Sequence, residues 1–416
     1  MNSFKFINSL SKFGIKPGLE RIKQLLEFIG NPQKKLKFIH IAGTNGKGSI
    51  SSMISQVLIE SGYKTGLFTS PHLYKINERF QINGECIDNE ELSKTMCDVK
   101  KFVNFIEDKV TEFEFLTAIG FEYFFQKKCD VVVLEAGLGG FYDSTNVIDF
   151  SEVAVISSIS YDHTEILGNS LVQIASEKAG IIKNNSDVVV YEQEKSVYEV
   201  IKKKCFETGS KIWNVNFSEI DIKKIDLESS TFVVPNHPEI TIKLLGIHQI
   251  KNACTAIKAL EVLKAKKVWN VTDSSLCSGL KNVKWPFRFE IINTNPFIIL
   301  DGAHNLQGIE ILVDNLKFYF LEKKISFVVG VLRDKSYSLM FKLLASIAKC
   351  FYVVNLNNHR SLDANFLSLH LKKYNLPIFS FNNAFNGFKA CVNNSKTEDI
   401  ICCTGSLYLA KIIKIL

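Results

Sequence analysis

Nowhere do the 416 residues hold the uninterrupted apolar run of about 18 residues that a membrane-crossing helix needs. The opening stretch, MNSFKFINSLSKFG, carries lysines and apolar side chains. It lacks a hydrophobic h-region followed by a small-residue cleavage site, so it reads as a helix rather than a signal peptide. Paired cysteine spacing is missing too. The ten cysteines are scattered, with only Cys402 and Cys403 adjacent, inside an apolar run. That argues against a disulfide framework and against a cysteine-based zinc site, and for a reducing, cytoplasmic setting. There is no internal repeat and no low-complexity tract. Nor is charge of one sign concentrated: the net +7 comes from dispersed lysines. Short clusters such as Lys202-Lys203-Lys204 and Lys264-Ala265-Lys266-Lys267 fall in helical patterns and read as solvated faces. Neither nucleic acid nor a membrane is an expected partner. An anionic substrate is compatible with the charge but not demanded by it.

What is present is a rhythm. Short apolar strands alternate with amphipathic helices, the pattern of parallel sheets with helical crossovers. Candidate strands are KFIHIAG, DVVVLEAG, VAVISSIS and SDVVVYE. After Trp285-Pro286 the rhythm restarts with PFIILDG, ISFVVGVL, CFYVVNL, LPIFSF and DIICCTG. The expected fold class is α/β in two domains. Residues 1–284 form a P-loop ATPase-like parallel-sheet domain, residues 285–416 a smaller Rossmann-like α/β domain, and the hinge lies near residues 283–296. In open α/β sheets ligands gather at the carboxyl ends of strands. Nearly every unusual polar residue here falls just after an apolar strand.

The first such place is IHIAGTNGKGSISSMI, with Gly43, Thr44, Asn45, Gly46, Lys47, Gly48 and Ser49 at its centre. A strand runs into glycine-rich backbone and then a helix from about Lys47 to Ser61. Such a loop can wrap phosphates with N–H groups at a helix N-terminus, with Lys47 reaching the phosphates and the Ser49 hydroxyl offered to Mg²⁺. The spacing is irregular: Ile41 stands where a glycine is usual, and Gly48 separates Lys47 from Ser49.

CDVVVLEAGLGG then delivers Glu135 to a strand end, where a carboxylate is costly unless paired or metal-bound. In ISSISYDHTEILG, Asp162 and His163 follow another strand; His163 is either a neutral metal ligand or a satisfied structural residue. The helix SLVQIASEKAG has a capping box of Ser170 with Gln173, a stop at Gly180, and Leu171, Ile174 and Lys178 on one face. A lysine on that apolar stripe either snorkels or is desolvated into a neutral, nucleophilic amine. Past residue 285, Asp301, His304 and Asn305, then Arg333, Asp334 and Lys335, and finally Gly405-Ser406 all follow apolar strands. Three polar clusters on one sheet edge point to a ligand-facing surface.

Taken together, the chain resembles the Mur-type amide ligases, and within them the folylpolyglutamate synthases, which in many bacteria are also dihydrofolate synthases. The resemblance rests on GTNGKGS, TSPHL, ERFQING, FEFLTA, EAGLGG with DSTN, DHTEILG, IASEKAGIIK, HQIKNA, LDGAHN and TGSLY, in order along essentially the whole chain. It implies an ATP-binding central domain followed by a glutamate-ligase domain. The substrates it implies are ATP, L-glutamate and a folate or dihydropteroate. The loop would hold ATP phosphates, while Ser49, Glu135 and His163 hold Mg²⁺. Lys178 matches a family lysine that is carbamylated. Gln249 and Asn252 match a nucleotide-contacting pair, Arg288 a hinge arginine on the phosphates, and Asp301 a ribose contact. His304 and Ser406 fall where glutamate binds. Lys47, Lys178 and His304 are the expected catalytic residues, in an enzyme expected to be monomeric. Three departures stand out. The common Leu-Pro-Gly-Arg hinge is Trp285-Pro286-Phe287-Arg288, Phe141 replaces an arginine after the double glycine, and an Asp-Lys-Asp pattern ends in Ser336. The rival readings are a cell-wall precursor ligase of the same superfamily and a P-loop NTPase of another class.

Overall fold

Val131–Glu135 and Phe38–Ala42 lie side by side at the centre of an eight-stranded sheet, buried on both faces along their whole length. That explains why both segments are continuously apolar rather than alternating. The computed structural model describes residues 3–10, 13–14 and 16–413. Strands in chain order are β1 (Phe38–Ala42), β2 (Thr65–Phe68), β3 (Phe80–Ile82), β4 (Glu85–Cys86), β5 (Val131–Glu135), β6 (Val153–Ile156), β7 (Asp187–Val190) and β8 (Lys211–Asn214). Their spatial order is β4-β3-β2-β5-β1-β6-β7-β8, parallel except for the β2-β3-β4 edge. The loops after β1, β5 and β6 therefore open side by side at one sheet edge.

Helix Lys47–Glu60 follows β1 and is buried nearly all round, because it sits between the sheet and helices Ile247–Ala265 and Asp273–Asn282. Helix Leu171–Ala179 has the expected capping box, Ser170 with Gln173. The N-terminal helix spans Ser3–Leu10; Met1, Asn2, Ser11 and Lys12 of the stretch expected to be helical lie outside the described residues.

A small antiparallel sheet, β9 (Asp221–Ile225), β10 (Ser230–Val233) and β11 (Ile240–Ile242), precedes helix Ile247–Ala265. Its short strands carry solvent-facing polar residues such as Lys223 and Lys224, so no continuous apolar run announces them. The chain then passes through residues 283–289 into a second sheet. This contains β12 (Glu290–Thr294), β13 (Phe297–Leu300), β14 (Ile325–Val329), β15 (Ala348–Val354), β16 (Ile378–Phe381) and β17 (Ile400–Thr404), in the order β12-β13-β17-β14-β15-β16. All pairs are parallel except β12 with β13. The carboxyl ends of β13, β14 and β17 face the loops after β1 and β6 across a cleft. This fold is mixed α/β with two separate, mainly parallel sheets, as expected, and a third, three-stranded antiparallel sheet that the sequence reading did not include.

Candidate active site

The cleft encloses about 190 Å³. Gly43 to Ser49, Glu135, His163, Lys178, Gln249, Asn252, Arg288, Asp301 and His304 all line it. Ser406 does not. It is buried at the start of helix Leu407–Ile413, its hydroxyl accepting from the Tyr408 N–H at 3.2 Å, while its neighbour Leu407 reaches the cleft wall.

Two glycines of the first loop are fixed by sterics. A Cβ on Gly43 would lie 1.8 Å from Ser157 Oγ, and one on Gly48 would lie 2.8 Å from the Trp285 ring. The irregular glycine after Lys47 is thus the seat of the hinge tryptophan. Thr44 anchors the loop to the segment after β6, its N–H donating to Ser158 O at 2.7 Å and its hydroxyl to Ser160 O at 3.1 Å. Lys47 Nζ donates to Gly43 O at 3.1 Å and Thr44 O at 3.2 Å.

Lys178 Nζ, fully buried, donates to the same Gly43 carbonyl at 2.8 Å. Burial foremost, and then the charge of Lys47, bring its pKa down to about 7. Two ammonium groups converge on one carbonyl, and losing the Lys178 proton relieves the repulsion. Helix Leu171–Ala179 ends at Gly180, whose φ of −59° is ordinary helix. Gly180 is required instead because a Cβ there would sit 2.4 Å from the Phe141 backbone. Phe141 itself, where relatives of the resembled family carry arginine, packs edge-on to Tyr142.

Glu135 is buried at the end of β5, its Oε2 accepting from the Ser70 N–H at 3.1 Å. Burial raises its pKa, opposed by Lys47, that hydrogen bond, Arg288 and Arg79. His163 takes a left-handed φ of 50° ahead of the one-turn helix Thr164–Leu167, and burial lowers its pKa to about 4, leaving a neutral imidazole. Gln249 contributes a buried Nε2 with no hydrogen-bond partner among the described residues, while its Oε1 accepts from Asn252. An orphaned buried amide donor facing a cleft needs a ligand acceptor.

From the second sheet, His304 Nδ1 meets Gly302 O at 2.8 Å. A carbonyl only accepts, so Nδ1 carries the proton and Nε2 presents a lone pair; burial lowers the pKa and favours this neutral form. Asp301 is committed to backbone, accepting from the Phe289 and Ala303 N–H groups at 2.8 Å each. Arg288 lies beside it, fully enclosed. The two domains are latched. Lys335 Nζ reaches Asp162 Oδ1 at 2.7 Å, Asn305 Nδ2 reaches Asp162 Oδ2 at 3.0 Å, and Asn45 Nδ2 reaches Gln307 at 2.6 Å. Burial would raise the Asp162 pKa, but the Lys335 ammonium at 2.7 Å foremost outweighs it and holds the carboxylate ionised. Arg333 and Asp334, expected beside Lys335, turn away to Ser361 O and Arg360.

Behind the cleft lies a second cavity of about 400 Å³, mostly apolar, walled by Phe113, Tyr142, Ile166 and Arg79 among others. Ser70, Pro71, Gly137, Leu138 and Leu167 line both cavities, which therefore adjoin there.

The Mur ligase middle domain profile matches residues 41–260, and the Mur ligase, glutamate ligase domain profile matches residues 287–407. A Bacillus subtilis dihydrofolate synthase/folylpolyglutamate synthase is 35% identical over 98% of this chain and 97% of its own. The chain belongs to the dihydrofolate synthase/folylpolyglutamate synthase family. Among solved members, a Mycobacterium tuberculosis folylpolyglutamate synthase complexed with ADP and AMPPCP superposes with a TM-score of 0.91 at 27% identity, covering 100% of this chain and 98% of that one. A bifunctional folylpolyglutamate synthase/dihydrofolate synthase with Mn, AMPPNP and L-glutamate bound superposes with a TM-score of 0.86 at 27% identity, covering 100% and 98%.

Against that family background the hinge departure acquires a geometry. Phe287, standing where the folylpolyglutamate synthases commonly have glycine, still adopts a left-handed φ of 60°, and Phe289 one of 51°. Phe287 is fully buried, with Tyr74 among its neighbours. The left-handed conformation costs an L-residue about 1–2 kcal/mol, whereas deleting a buried phenylalanine side chain costs about 3–5 kcal/mol. Packing wins. Phe287→Gly is therefore expected to destabilise the protein by roughly 1–4 kcal/mol, measured by urea denaturation; a stabilised variant would show that strain dominates.

Sequence reasoning missed Gln307, Trp285 and Arg79. Trp285 and Gln307 act through contacts with Gly48 and Asn45, more than 200 residues away, for which no local pattern exists, whereas Arg79 bonds to His72 only seven residues before it.

Proposed function

We propose that this protein joins the amino group of L-glutamate to a folate carboxylate, with hydrolysis of ATP to ADP and phosphate through an acyl-phosphate intermediate. The observation that supports the reading is that an apolar chamber of about 400 Å³ adjoins the phosphate-loop cleft at Ser70-Pro71 and Gly137-Leu138. A P-loop hydrolase needs no such second chamber.

The ATP phosphates would lie along Gly43–Ser49 at the N-terminus of helix Lys47–Glu60, with Lys47 and Arg288 as cations and Gln249 Nε2 as a donor. No group of three or more His, Cys, Asp or Glu side chains able to hold a metal occurs among the described residues. The donor set present, the Ser49 hydroxyl, the Glu135 carboxylate and the neutral His163 imidazole, fits Mg²⁺, which takes few protein ligands and completes its shell with phosphates and water. When bound, Mg²⁺ supplies charge neutralisation at the transferring phosphoryl group. The reacting carboxylate of the acceptor enters where the two cavities adjoin and attacks the γ-phosphate, because a carboxylate otherwise has only oxide to lose. L-glutamate binds from the second-domain side near His304. His304 Nε2, with its lone pair free, takes the proton that the amine sheds as its nitrogen attacks the acyl carbon and phosphate departs. Latching by Asp162–Lys335 and Asn45–Gln307 keeps water from the acyl phosphate. Lys178 is carbamylated in the working enzyme, turning the neutral amine beside the loop into an anionic partner of the metal site.

In this reading residues 1–284 are the ATP-binding domain and residues 285–416 the glutamate-ligase domain, acting in the cytoplasm. The working unit in this reading is the monomer. No described helix is long and apolar enough to cross a membrane. The test is ADP release with dihydropteroate or tetrahydrofolate, with and without L-glutamate, followed by product mass. Turnover that needs both acceptor and glutamate is expected, with a mass gain of one glutamyl residue. ATP hydrolysis indifferent to both would refute the assignment.

A further inference from the structure

Arg79 belongs to the ERFQING segment, which none of the chemistry above uses. Its side chain is more than nine-tenths buried and lines the apolar chamber, but not the phosphate cleft. Its Nε donates to His72 Nδ1 at 3.0 Å, and among the described residues it forms no ion pair and its terminal nitrogens donate no hydrogen bond. The other cation of the chamber, Lys16, is already paired with Asp108 at 2.7 Å.

Three of the four carboxylates near Arg79 are engaged elsewhere. Glu78 accepts from the Leu73, Tyr74 and Lys75 N–H groups. Glu135 accepts from Ser70 and faces the phosphate cleft. Glu112, half-buried, is the foremost negative charge acting on Arg79, but forms no ion pair with it. Asp143, on the chamber wall, is held by the Leu138 N–H, the Thr145 N–H and the Thr145 hydroxyl. A buried guanidinium without a carboxylate at contact is costly, and its fork geometry suits a bidentate carboxylate.

We infer that Arg79 binds a carboxylate of the acceptor that does not react: the α-carboxylate of an acceptor already bearing a glutamyl residue. The inference rests on the ligase reading above. The reacting carboxylate must pass Ser70-Pro71 to reach Lys47, whereas Arg79 stays on the chamber side of that junction. Tetrahydrofolate carries both carboxylates; dihydropteroate carries only the one that reacts. Arg79 is therefore a specificity residue for the polyglutamylation half of the chemistry.

The experiment compares Arg79→Met and Arg79→Lys with the unaltered enzyme on both acceptors, with ADP affinity and melting temperature alongside. For Arg79→Met, KM for tetrahydrofolate is expected to rise roughly 10–100-fold. KM for dihydropteroate should change by less than about threefold, kcat and ADP affinity should hold, and Arg79→Lys should recover part of the loss. Equal rises for both acceptors, or no rise for either, would overturn the inference. So would an unaltered enzyme that takes dihydropteroate but not tetrahydrofolate. A variant-free arm guards against misfolding: on the unaltered enzyme, tetrahydrofolate whose α-carboxylate is a carboxamide should lose a similar factor, and equal KM for acid and amide overturns the inference. If the unaltered enzyme shows no glutamate-dependent turnover on either acceptor, the ligase reading itself fails, and this inference with it.

Discussion

Lys47→Ala is expected to lower kcat/KM for glutamate-dependent ADP release by roughly 10²–10³-fold, the usual loss when a preorganised charge-stabilising donor is removed from a phosphoryl or acyl transfer site. Lys47 begins helix Lys47–Glu60, and its ammonium sits on the Gly43 and Thr44 carbonyls at the mouth of the cleft. It is also the foremost of the charges that counter the burial of Glu135. Its removal takes positive charge from the place where the γ-phosphate departs, while the loop remains held by Thr44 and by the Trp285 packing on Gly48. Melting temperature should change little. Lys47→Arg should not restore full activity, since a planar fork cannot replace a compact ammonium between two carbonyls. A further effect follows from the second lysine. With Lys47 gone, one cause of the low Lys178 pKa disappears, so Lys178 should hold its proton more tightly. An alanine variant retaining more than a tenth of the activity would remove Lys47 from the transfer step.

The sheets were legible because their central strands are buried on both faces, which leaves runs such as Val131-Val132-Val133-Leu134 that admit few other structures. The strand-end rule then located the polar residues without knowledge of their contacts. Legibility ends where a residue's role depends on a distant partner. Gly48 looked like an error in a phosphate loop until Trp285, far along the chain, was found packed on it. Phe287 looked incompatible with a glycine hinge, yet it takes the left-handed conformation and is held there by burial. The ERFQING segment that holds Arg79 was singled out, but the residue's own role was not legible, because what distinguishes it is a missing ion pair. Ser406 illustrates the opposite case: the strand-then-helix pattern was real, but the hydroxyl turns to its own helix start rather than to the cleft.

Lys178→Ala is expected to lower kcat by roughly 10²–10³-fold, with part of the loss recovered by short-chain carboxylates small enough to occupy the space left by the side chain. The geometry favours an anion there only after chemistry. As an ammonium, Lys178 would share the Gly43 carbonyl with Lys47, at full desolvation cost. As a neutral amine it can add CO₂ and become a carbamate, an anion beside a cation and a metal site. The pKa of about 7 sets the sign of the pH dependence. Below it the amine is protonated and cannot add CO₂; above it the neutral fraction dominates. Activation by added bicarbonate should therefore grow from about pH 6 to about pH 8, and Lys178→Met, which keeps a long apolar side chain but has no amine, should show no such activation. Intact-mass analysis under CO₂ should reveal the adduct in the unaltered chain alone. Full activity in Lys178→Ala, or bicarbonate activation surviving in Lys178→Met, would refute the carbamate and return Lys178 to a purely structural role beneath the loop.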